Sequence, residues 1–193
     1  MTVIQFSALG ILATFYTAYF TKILLQRRQG IQTDQIGKGN KPRKILAVER
    51  LMKLATYAII PVEIISIQKD FSQKNSLPCW LGLTVAFFGV LVFILAMSAM
   101  RDSWRAGIPD EDETDLITTG IFTLSRNPAF LGFDLMYIGL LMAFFNWVHF
   151  VFALFAIVML HLQILQEEAF LEQVFGAKYL EYKKRTGRYF LIL

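Results

Sequence analysis

The chain alternates between long apolar stretches and short charged segments. A helix needs about 20 predominantly apolar residues to cross the hydrocarbon core of a bilayer. Five stretches have this character, at about residues 3–25, 51–67, 78–100, 129–147 and 148–165. Only Asn146 and Trp147 separate the last two, which predicts a tight helical hairpin. The pattern therefore predicts an all-α, polytopic integral membrane protein with five transmembrane helices, folded as a single membrane domain over residues 1–193.

The composition supports a membrane protein over a soluble one. Apolar residues make up 55% of the chain and charged residues 18%, whereas soluble proteins carry roughly 25% charged residues. The first apolar stretch lacks a basic start and is too long for a cleavable signal peptide. Basic residues are spread over the loops without interleaved aromatic residues, so no nucleic-acid partner is expected. The single cysteine, Cys79, excludes an intrachain disulfide and a cysteine-based metal site, and no metal is expected.

The distribution of lysine and arginine predicts the orientation. Seventeen of the 19 lie in three groups, namely from Lys22 to Lys53, from Arg101 to Arg126, and after the last apolar stretch. Only Lys69 and Lys74 fall on the other side. Because cytoplasmic loops are enriched in these residues, we expect the N-terminus to face out and the C-terminus to face the cytoplasm.

Small residues predict where two helices approach closely. Gly82, Ala86 and Gly89 share one face of the third stretch, and Gly132 and Gly139 share one face of the fourth. Small residues let helix backbones pack closely in lipid. We interpret these positions as packing contacts.

Candidate chemistry begins at the start of the fourth stretch. Pro128 suits the first turn of a helix, which places Asn127 near the N-cap. Free N–H groups at that helix end, with the planar charge of Arg126 beside them, would form an anion site at the membrane surface. The alternative is an ordinary capped helix with an arginine facing lipid phosphates.

The end of the fifth stretch carries a second set of polar residues. Gln163 and Glu167 are four apart and share a helix face. Glu167 could reach inward, or it could simply mark a hydrated helix exit. Asp134 is an ionisable residue within an apolar stretch, where such residues are functional hypotheses by default. Glu63, near the outer end of the second stretch, is less informative because it could reach the membrane interface. His161 is a further candidate, and each of these side chains could instead only fix packing.

Two blocks of sequence resemble the isoprenylcysteine carboxyl methyltransferases. Residues 116–122 and 125–132 are similar to the family's "L-V-T-x-G-x-Y … R-H-P-x-Y-x-G" pattern. Glu167-Glu168 and residues 175–185 are similar to its "E-E … F-G-x-x-Y-x-x-Y" tail. The resemblance covers roughly residues 100–190, and the short chain resembles a prokaryotic member.

The chain departs from the family pattern at four positions. Asn127 replaces a histidine, and asparagine cannot titrate. Phe122 and Phe130 replace tyrosines. Gln163 stands where eukaryotic members carry an arginine that is tied to the prenylated substrate.

The resemblance implies S-adenosylmethionine as cofactor and a cofactor-binding part at about residues 100–190. It implies Arg126 and Glu167 as catalytic residues and Gln163 as a substrate contact. The implied cofactor contacts are Thr114, Asp115, Leu116, Ile117, Phe122, Asn127, Pro128, Ala129, Phe130 and Glu167.

The leading hypothesis is methyl transfer to a lipophilic small molecule or a lipidated substrate. Carboxylate O-methylation at the cytoplasmic face of a prokaryotic plasma membrane is the favoured form. One alternative is a nicotinamide-dependent membrane reductase of the sterol-reductase type, although the acid-rich run at residues 110–115 argues against a cofactor with several phosphates. The other alternative is a non-enzymatic membrane protein.

Overall fold

The computed structural model describes residues 1–69, 76–108 and 115–190. Lys74, Thr114 and the acidic residues 110–113 lie outside these ranges. Within them, the regular structure is helical. The six α-helices are α1 (Val3–Arg28), α2 (Arg43–Lys69), α3 (Leu77–Met100), α4 (Pro128–Ala143), α5 (Trp147–Phe175) and α6 (Ala177–Arg185). Two short 3₁₀ turns span Arg101–Ser103 and Gly120–Thr123.

Among the residues that the structure describes, three helices are long and apolar enough to cross a membrane: Val3–Arg28, Leu77–Ser103 and Trp147–Phe175. Helix α4 is apolar but shorter, with 16 residues. Helix α2 begins at Arg43 rather than near residue 51, and its first turns carry charged residues such as Glu49 and Lys53. The all-helical class is therefore confirmed, while five spans and their orientation remain predictions.

The predicted hairpin between the fourth and fifth stretches is present. Helix α4 ends at Ala143 and α5 begins at Trp147, so three residues make the turn. The side chain of Asn146 accepts a hydrogen bond of 2.9 Å from the N–H of His149. This bond caps the first turn of α5. We call this end of the bundle the hairpin end, and the opposite end, which carries residues 29–42, 101–108, 115–127 and 176–190, the loop end.

Helices α3 and α4 pack through the predicted small residues. A methyl group on Gly82 would lie 2.5 Å from the carbonyl oxygen of Gly139, and one on Gly89 would lie 2.7 Å from that of Gly132. These distances leave no room for a Cβ, so the two backbones are in direct contact. The packing interpretation is confirmed.

An aromatic cluster fills the centre of the bundle. The rings of Phe15 and Phe93 stack with their centroids 4.4 Å apart, and Phe133 meets Phe15 edge-on at 4.7 Å. These rings tie α1, α3 and α4 together, and α2 packs along α5 on the other side.

The segment between α1 and α2 folds back over the loop end. The N–H of Gln35 donates to the carbonyl oxygen of Ala106 at 2.8 Å, and the N–H of Ala106 donates to the carbonyl oxygen of Thr33 at 2.9 Å. The buried side chain of Gln26 donates to the carbonyl of Trp104 and accepts a bond from Thr33. The first hundred residues, for which sequence reasoning proposed only membrane spanning, therefore also cover the loop end.

Candidate active site

A cleft opens at the loop end between the start of α4, the end of α5 and α6. Its empty volume is about 710 Å³ with the open mouth included. We call it the polar cleft.

The polar cleft brings together residues that are far apart in sequence. Nine of the ten predicted cofactor contacts line it, and the tenth, Thr114, lies outside the described residues. The nine are Asp115, Leu116, Ile117, Phe122, Asn127, Pro128, Ala129, Phe130 and Glu167. Arg126 lines the cleft as well.

Arg126 does not offer its charge to a free anion. Its Nη2 lies 3.0 Å from Oε1 of Glu168, and both side chains are more than nine-tenths buried. Its Nη1 donates to the carbonyl oxygens of Thr186 and Lys183. The predicted anion-binding arginine is therefore neutralised within the protein, and it does not face lipid phosphates either. A buried charge that lacked such partners would be strongly destabilising.

Glu168 is the centre of this ion-pair cluster. Arg188 donates to its Oε2 at 3.0 Å from Nη2 and at 3.2 Å from Nε. Hydrogen bonding to Glu168 raises the pKa of Arg188, so the guanidinium stays charged. In the sequence, Glu168 stood out only as a motif position, and Arg188 was missed. The acidic doublet Glu167-Glu168 was the available signal, because a second carboxylate beside the first needs partners of its own.

Asn127 serves the same cluster. It occupies the N-cap position of α4, as predicted, but its side chain makes no cap bond. Instead its Nδ2 donates to Oε1 of Glu168 at 2.9 Å and to the carbonyl of Arg188 at 3.3 Å. An amide donates these hydrogen bonds without titrating, so Asn127 holds the carboxylate of Glu168 in position.

Two tyrosines of the C-terminal motif close the outer side of the cleft. The hydroxyl of Tyr182 donates to the carbonyl of Phe122 at 2.6 Å. Burial raises the pKa of both Tyr179 and Tyr182, which keeps the phenols neutral. Both tyrosines pack against Phe122, a contact that their place in the sequence motif did not indicate.

A second cavity lies deeper in the bundle and adjoins the polar cleft. Its empty volume is about 510 Å³ with the space at its opening included, and its wall includes the rings of Tyr19, Phe93 and Phe133 together with Met52 and Leu160. We call it the apolar chamber. The residues that line both cavities are Trp104, Arg105, Ala129, Phe130 and Glu167.

Glu167 stands at the junction of the two cavities. Its Oε1 accepts a hydrogen bond of 2.9 Å from Nε2 of Gln163, which is completely buried. Gln163 does not line either cavity, and its own Oε1 has no partner among residues 1–69, 76–108 and 115–190. The predicted pair on one face of α5 is thus present, with Glu167 presented to the cavities and Gln163 behind it.

A buried ion pair lies behind the wall of the chamber at the loop end. Nζ of Lys41 lies 2.9 Å from both carboxylate oxygens of Glu49. The same carboxylate accepts the N–H of Gly37 at 2.7 Å and that of Ile108 at 3.0 Å. Gly107, beside Ile108, lines the chamber with φ at 87°, a conformation that favours glycine. This cluster fixes the segment that carries Arg105 and Gly107.

The other predicted polar residues lie away from the two cavities. Asp134 is buried, and its Oδ1 has no partner in the described part of the chain. His161 binds the hydroxyl of Tyr189 through Nδ1 at 2.6 Å. Neither residue lines the cleft or the chamber, so neither is positioned to act on a ligand held there.

Comparison with known proteins assigns the family. The sequence profile described as phospholipid methyltransferase matches residues 77–178, which is more than half of the chain. The chain belongs to this family. The matched part of the phospholipid methyltransferase fold runs from the start of α3 to the start of α6 and includes all five residues that line both cavities.

A curated enzyme supports the narrower resemblance. The chain is 30% identical to the protein-S-isoprenylcysteine O-methyltransferase of Saccharomyces cerevisiae over 123 residues. The aligned part covers 61% of this chain and 51% of the yeast enzyme, so the chain matches about half of that protein's length. The resemblance to isoprenylcysteine carboxyl methyltransferases that the two sequence blocks predicted is confirmed.

Proposed function

We propose that this protein is an S-adenosylmethionine-dependent methyltransferase that O-methylates the carboxylate of a lipophilic acceptor. The observation that carries the proposal is the position of Glu167, at the junction of a polar cleft and an apolar chamber. A polar cofactor and a lipid-like acceptor need two cavities of opposite character that meet at one point. The acceptor is a lipophilic small molecule or a lipidated substrate.

The residues of the polar cleft fit the cofactor. The rings of Phe122 and Phe130 offer flat apolar surfaces for an adenine. Glu167 can accept hydrogen bonds from an ammonium group or from ribose hydroxyls. The first turn of α4 lines the cleft at Pro128 and Ala129, and N–H groups in a first helical turn have no partner within the helix. They suit the carboxylate of the cofactor, a role that Arg126 cannot take because Glu168 holds it.

The chemistry asks little of the protein beyond positioning. When bound, S-adenosylmethionine supplies a methyl group on a positively charged sulfur. An oxygen of the acceptor carboxylate forms a bond to the methyl carbon as the bond between that carbon and the sulfur breaks. No general base is needed, because a carboxylate oxygen carries no proton at neutral pH. Aligning the two reactants and excluding water can supply roughly 7–11 kcal/mol of the barrier. The rings of the apolar chamber and the buried Lys41–Glu49 ion pair behind its wall exclude water.

Arg105 is our candidate for orienting the acceptor carboxylate. It lines both cavities beside Glu167. In this chain Gln163 occupies the place of the family's substrate-linked arginine, and an amide carries no charge to pair with a carboxylate. Arg105 supplies a planar cation near the same point from the segment after α3.

The orientation in the membrane follows from the separation between the polar cleft and the apolar chamber. We propose that the loop end faces the cytoplasm of a prokaryotic cell, where the polar cofactor enters the cleft from water. The acceptor tail then reaches the chamber from the bilayer. The many basic residues at the loop end support this orientation.

The test is methyl transfer by the purified protein from radiolabelled S-adenosylmethionine to N-acetyl-S-farnesylcysteine and to fatty acids. A carboxyl methyl ester releases labelled methanol in mild alkali, whereas a methyl group on nitrogen or sulfur stays attached. Alkali-labile label in the lipid fraction supports the proposal. Label that resists alkali would contradict carboxylate methylation but retain the methyltransferase.

A further inference from the structure

Three polar side chains meet deep in the otherwise apolar bundle. Glu63 on α2 and Tyr137 on α4 are fully buried, and the hydroxyl of Tyr16 on α1 is buried as well. Neither oxygen of Glu63 has a hydrogen-bond partner within the described chain. The hydroxyls of Tyr16 and Tyr137 interact with each other, and each interacts electrostatically with the carboxyl of Glu63. We call these three residues the deep polar cluster.

The deep polar cluster lies beyond the inner end of the apolar chamber. Tyr16 is one turn of α1 from Tyr19, and Tyr137 is one turn of α4 from Phe133, both of which line the chamber. The rings of Phe133 and Tyr137 are in contact, with centroids 5.9 Å apart. The chamber and the deep polar cluster therefore lie at successive depths along the same helices of the bundle.

The α2 helix gives the depth of the cluster. Thr56 lines the chamber, and Glu63 lies seven residues further toward the hairpin end, on the same side of the helix. At a rise of about 1.5 Å per residue, this is about 10 Å beyond Thr56. A long acceptor tail that fills the chamber would extend toward this point. The sequence allowed Glu63 to reach the membrane interface, but the structure encloses it completely.

Side chains of this kind need an explanation. Buried polar groups in proteins are nearly always hydrogen-bonded, because an unpaired one loses its interactions with water without replacement. The loss is larger for a carboxyl group in a bilayer interior. A hydrocarbon tail cannot satisfy the cluster, since it neither donates nor accepts hydrogen bonds.

We propose that the deep polar cluster binds a hydroxyl or amine group at the far end of the acceptor, so that the acceptor is polar at both ends. A carboxyl group accepts a hydrogen bond from either group, and the two tyrosine hydroxyls can donate to or accept from a hydroxyl. The acceptor carboxylate then lies at Arg105 and the distal group at Glu63. This inference rests on the proposed function in one respect, namely that the ligand of the deep polar cluster is the methyl acceptor.

Matched fatty acids test the proposal. The protein in lipid nanodiscs is titrated, without cofactor, with palmitic acid and with ω-hydroxypalmitic acid, which differ only in the terminal hydroxyl. The wild type should bind the hydroxy acid at least about tenfold more tightly, as expected when a buried acceptor gains its hydrogen bond. Glu63→Leu should remove the preference and raise the melting temperature, because it replaces an unpaired polar group by an apolar one. Tyr137→Phe should weaken the preference without removing a large side chain.

Ser66→Ala is the matched control. Ser66 lies three residues from Glu63 on α2 and bonds to Val62 and Asn146 at the hairpin end, outside the cluster. This variant should keep the wild-type preference. Equal binding of both acids by the wild type, or a preference that survives Glu63→Leu, would overturn the proposal.

The same experiment separates this proposal from the proposed function. Binding is measured without cofactor, so a preference for the hydroxy acid supports the deep site even if no methyl transfer is found. Methylation of both acids with equal affinity would overturn the deep site and leave the proposed function standing.

Discussion

The Nε2 of Gln163 donates a hydrogen bond of 2.9 Å to Oε1 of Glu167, one turn further along α5. Gln163 is completely buried, so it acts on a ligand only through Glu167. The bond directs the carboxylate of Glu167 to the junction of the polar cleft and the apolar chamber. The sequence resemblance implied a substrate contact for Gln163, whereas we propose that Gln163 positions its neighbour Glu167.

Replacing Glu167 should remove most of the cofactor affinity. Hydrogen bonds to a charged group contribute about 1.5–3 kcal/mol each, so Glu167→Ala should weaken S-adenosylhomocysteine binding by about tenfold to a hundredfold per lost bond. Isothermal calorimetry on the detergent-solubilised protein measures this. Glu172→Ala is the control, because Glu172 lies on the same helix but pairs with Lys183 outside the cleft. Unchanged affinity in Glu167→Ala would count against the placement of the cofactor.

Breaking the Arg126–Glu168 pair should affect folding as well as binding. Removing one partner of a buried pair costs about 3–5 kcal/mol, so Arg126→Ala should lower the melting temperature and weaken cofactor binding together. Arg185→Ala offers the contrast, since its partner Glu181 is on the surface and such pairs contribute about 0–1 kcal/mol. Equal melting temperatures for the two variants would contradict the cluster as described.

Arg105 should influence the acceptor more than the cofactor. If it orients the acceptor carboxylate, Arg105→Gln raises the KM for the acceptor by about tenfold or more, the range of a lost charge-assisted bond. Its effect on S-adenosylhomocysteine affinity should be small. Steady-state kinetics with a farnesylcysteine acceptor, alongside calorimetry, separates the two. A loss confined to cofactor affinity would place Arg105 in the polar cleft only.

The Lys41–Glu49 pair should protect the segment between α1 and α2 from hydrogen exchange. Lys41 is buried against Glu49 in the folded protein, and the N–H of Gly37 donates to the same carboxylate, so this amide should exchange slowly. Glu49→Gln removes the charge that holds Lys41, and we expect faster exchange at Gly37 together with reduced turnover. Asp34→Asn removes the more exposed partner of Lys38 and Lys53 and should leave Gly37 protected. Slow exchange in both variants would mean that the pair does not hold the segment.

The contact between α3 and α4 should not tolerate a larger residue. Gly139→Leu would place a side chain against the backbone of Ala86 and Gly82, and overpacking of this kind typically costs about 1–3 kcal/mol. The melting temperature should fall accordingly. Gly10→Ala on α1 meets open space and should have little effect or a slightly favourable one.

Local sequence features predicted the parts of the fold that depend on local chemistry. The hairpin at Asn146, the start of α4 at Pro128 and the glycine faces of α3 and α4 follow from spacing and residue type. The extension of α2 back to Arg43 was not predicted, because hydropathy detects the membrane-crossing part of a helix and misses charged turns outside it.

The candidate site was likewise predicted only in part from the sequence. Motif resemblance selected nine residues that the fold brings to one cleft, although they come from four separate stretches, namely 115–117, Phe122, 127–130 and Glu167. The partners of those residues were missed. Arg188 reaches Glu168 from the C-terminal segment, and Glu49 binds Lys41 and Ile108 across the loop end. Such contacts depend on the three-dimensional path of the chain, which one sequence does not reveal.

The most direct test of the central claim is calorimetric titration of the purified protein with S-adenosylhomocysteine and, separately, with NADPH. The proposed function predicts micromolar binding of S-adenosylhomocysteine and no binding of NADPH, with S-adenosylhomocysteine binding weakened at least about tenfold in Glu167→Ala. Binding of NADPH alone would contradict the methyltransferase assignment and favour a nicotinamide-dependent reductase. Binding of neither ligand by folded protein would contradict both and favour a non-enzymatic membrane protein.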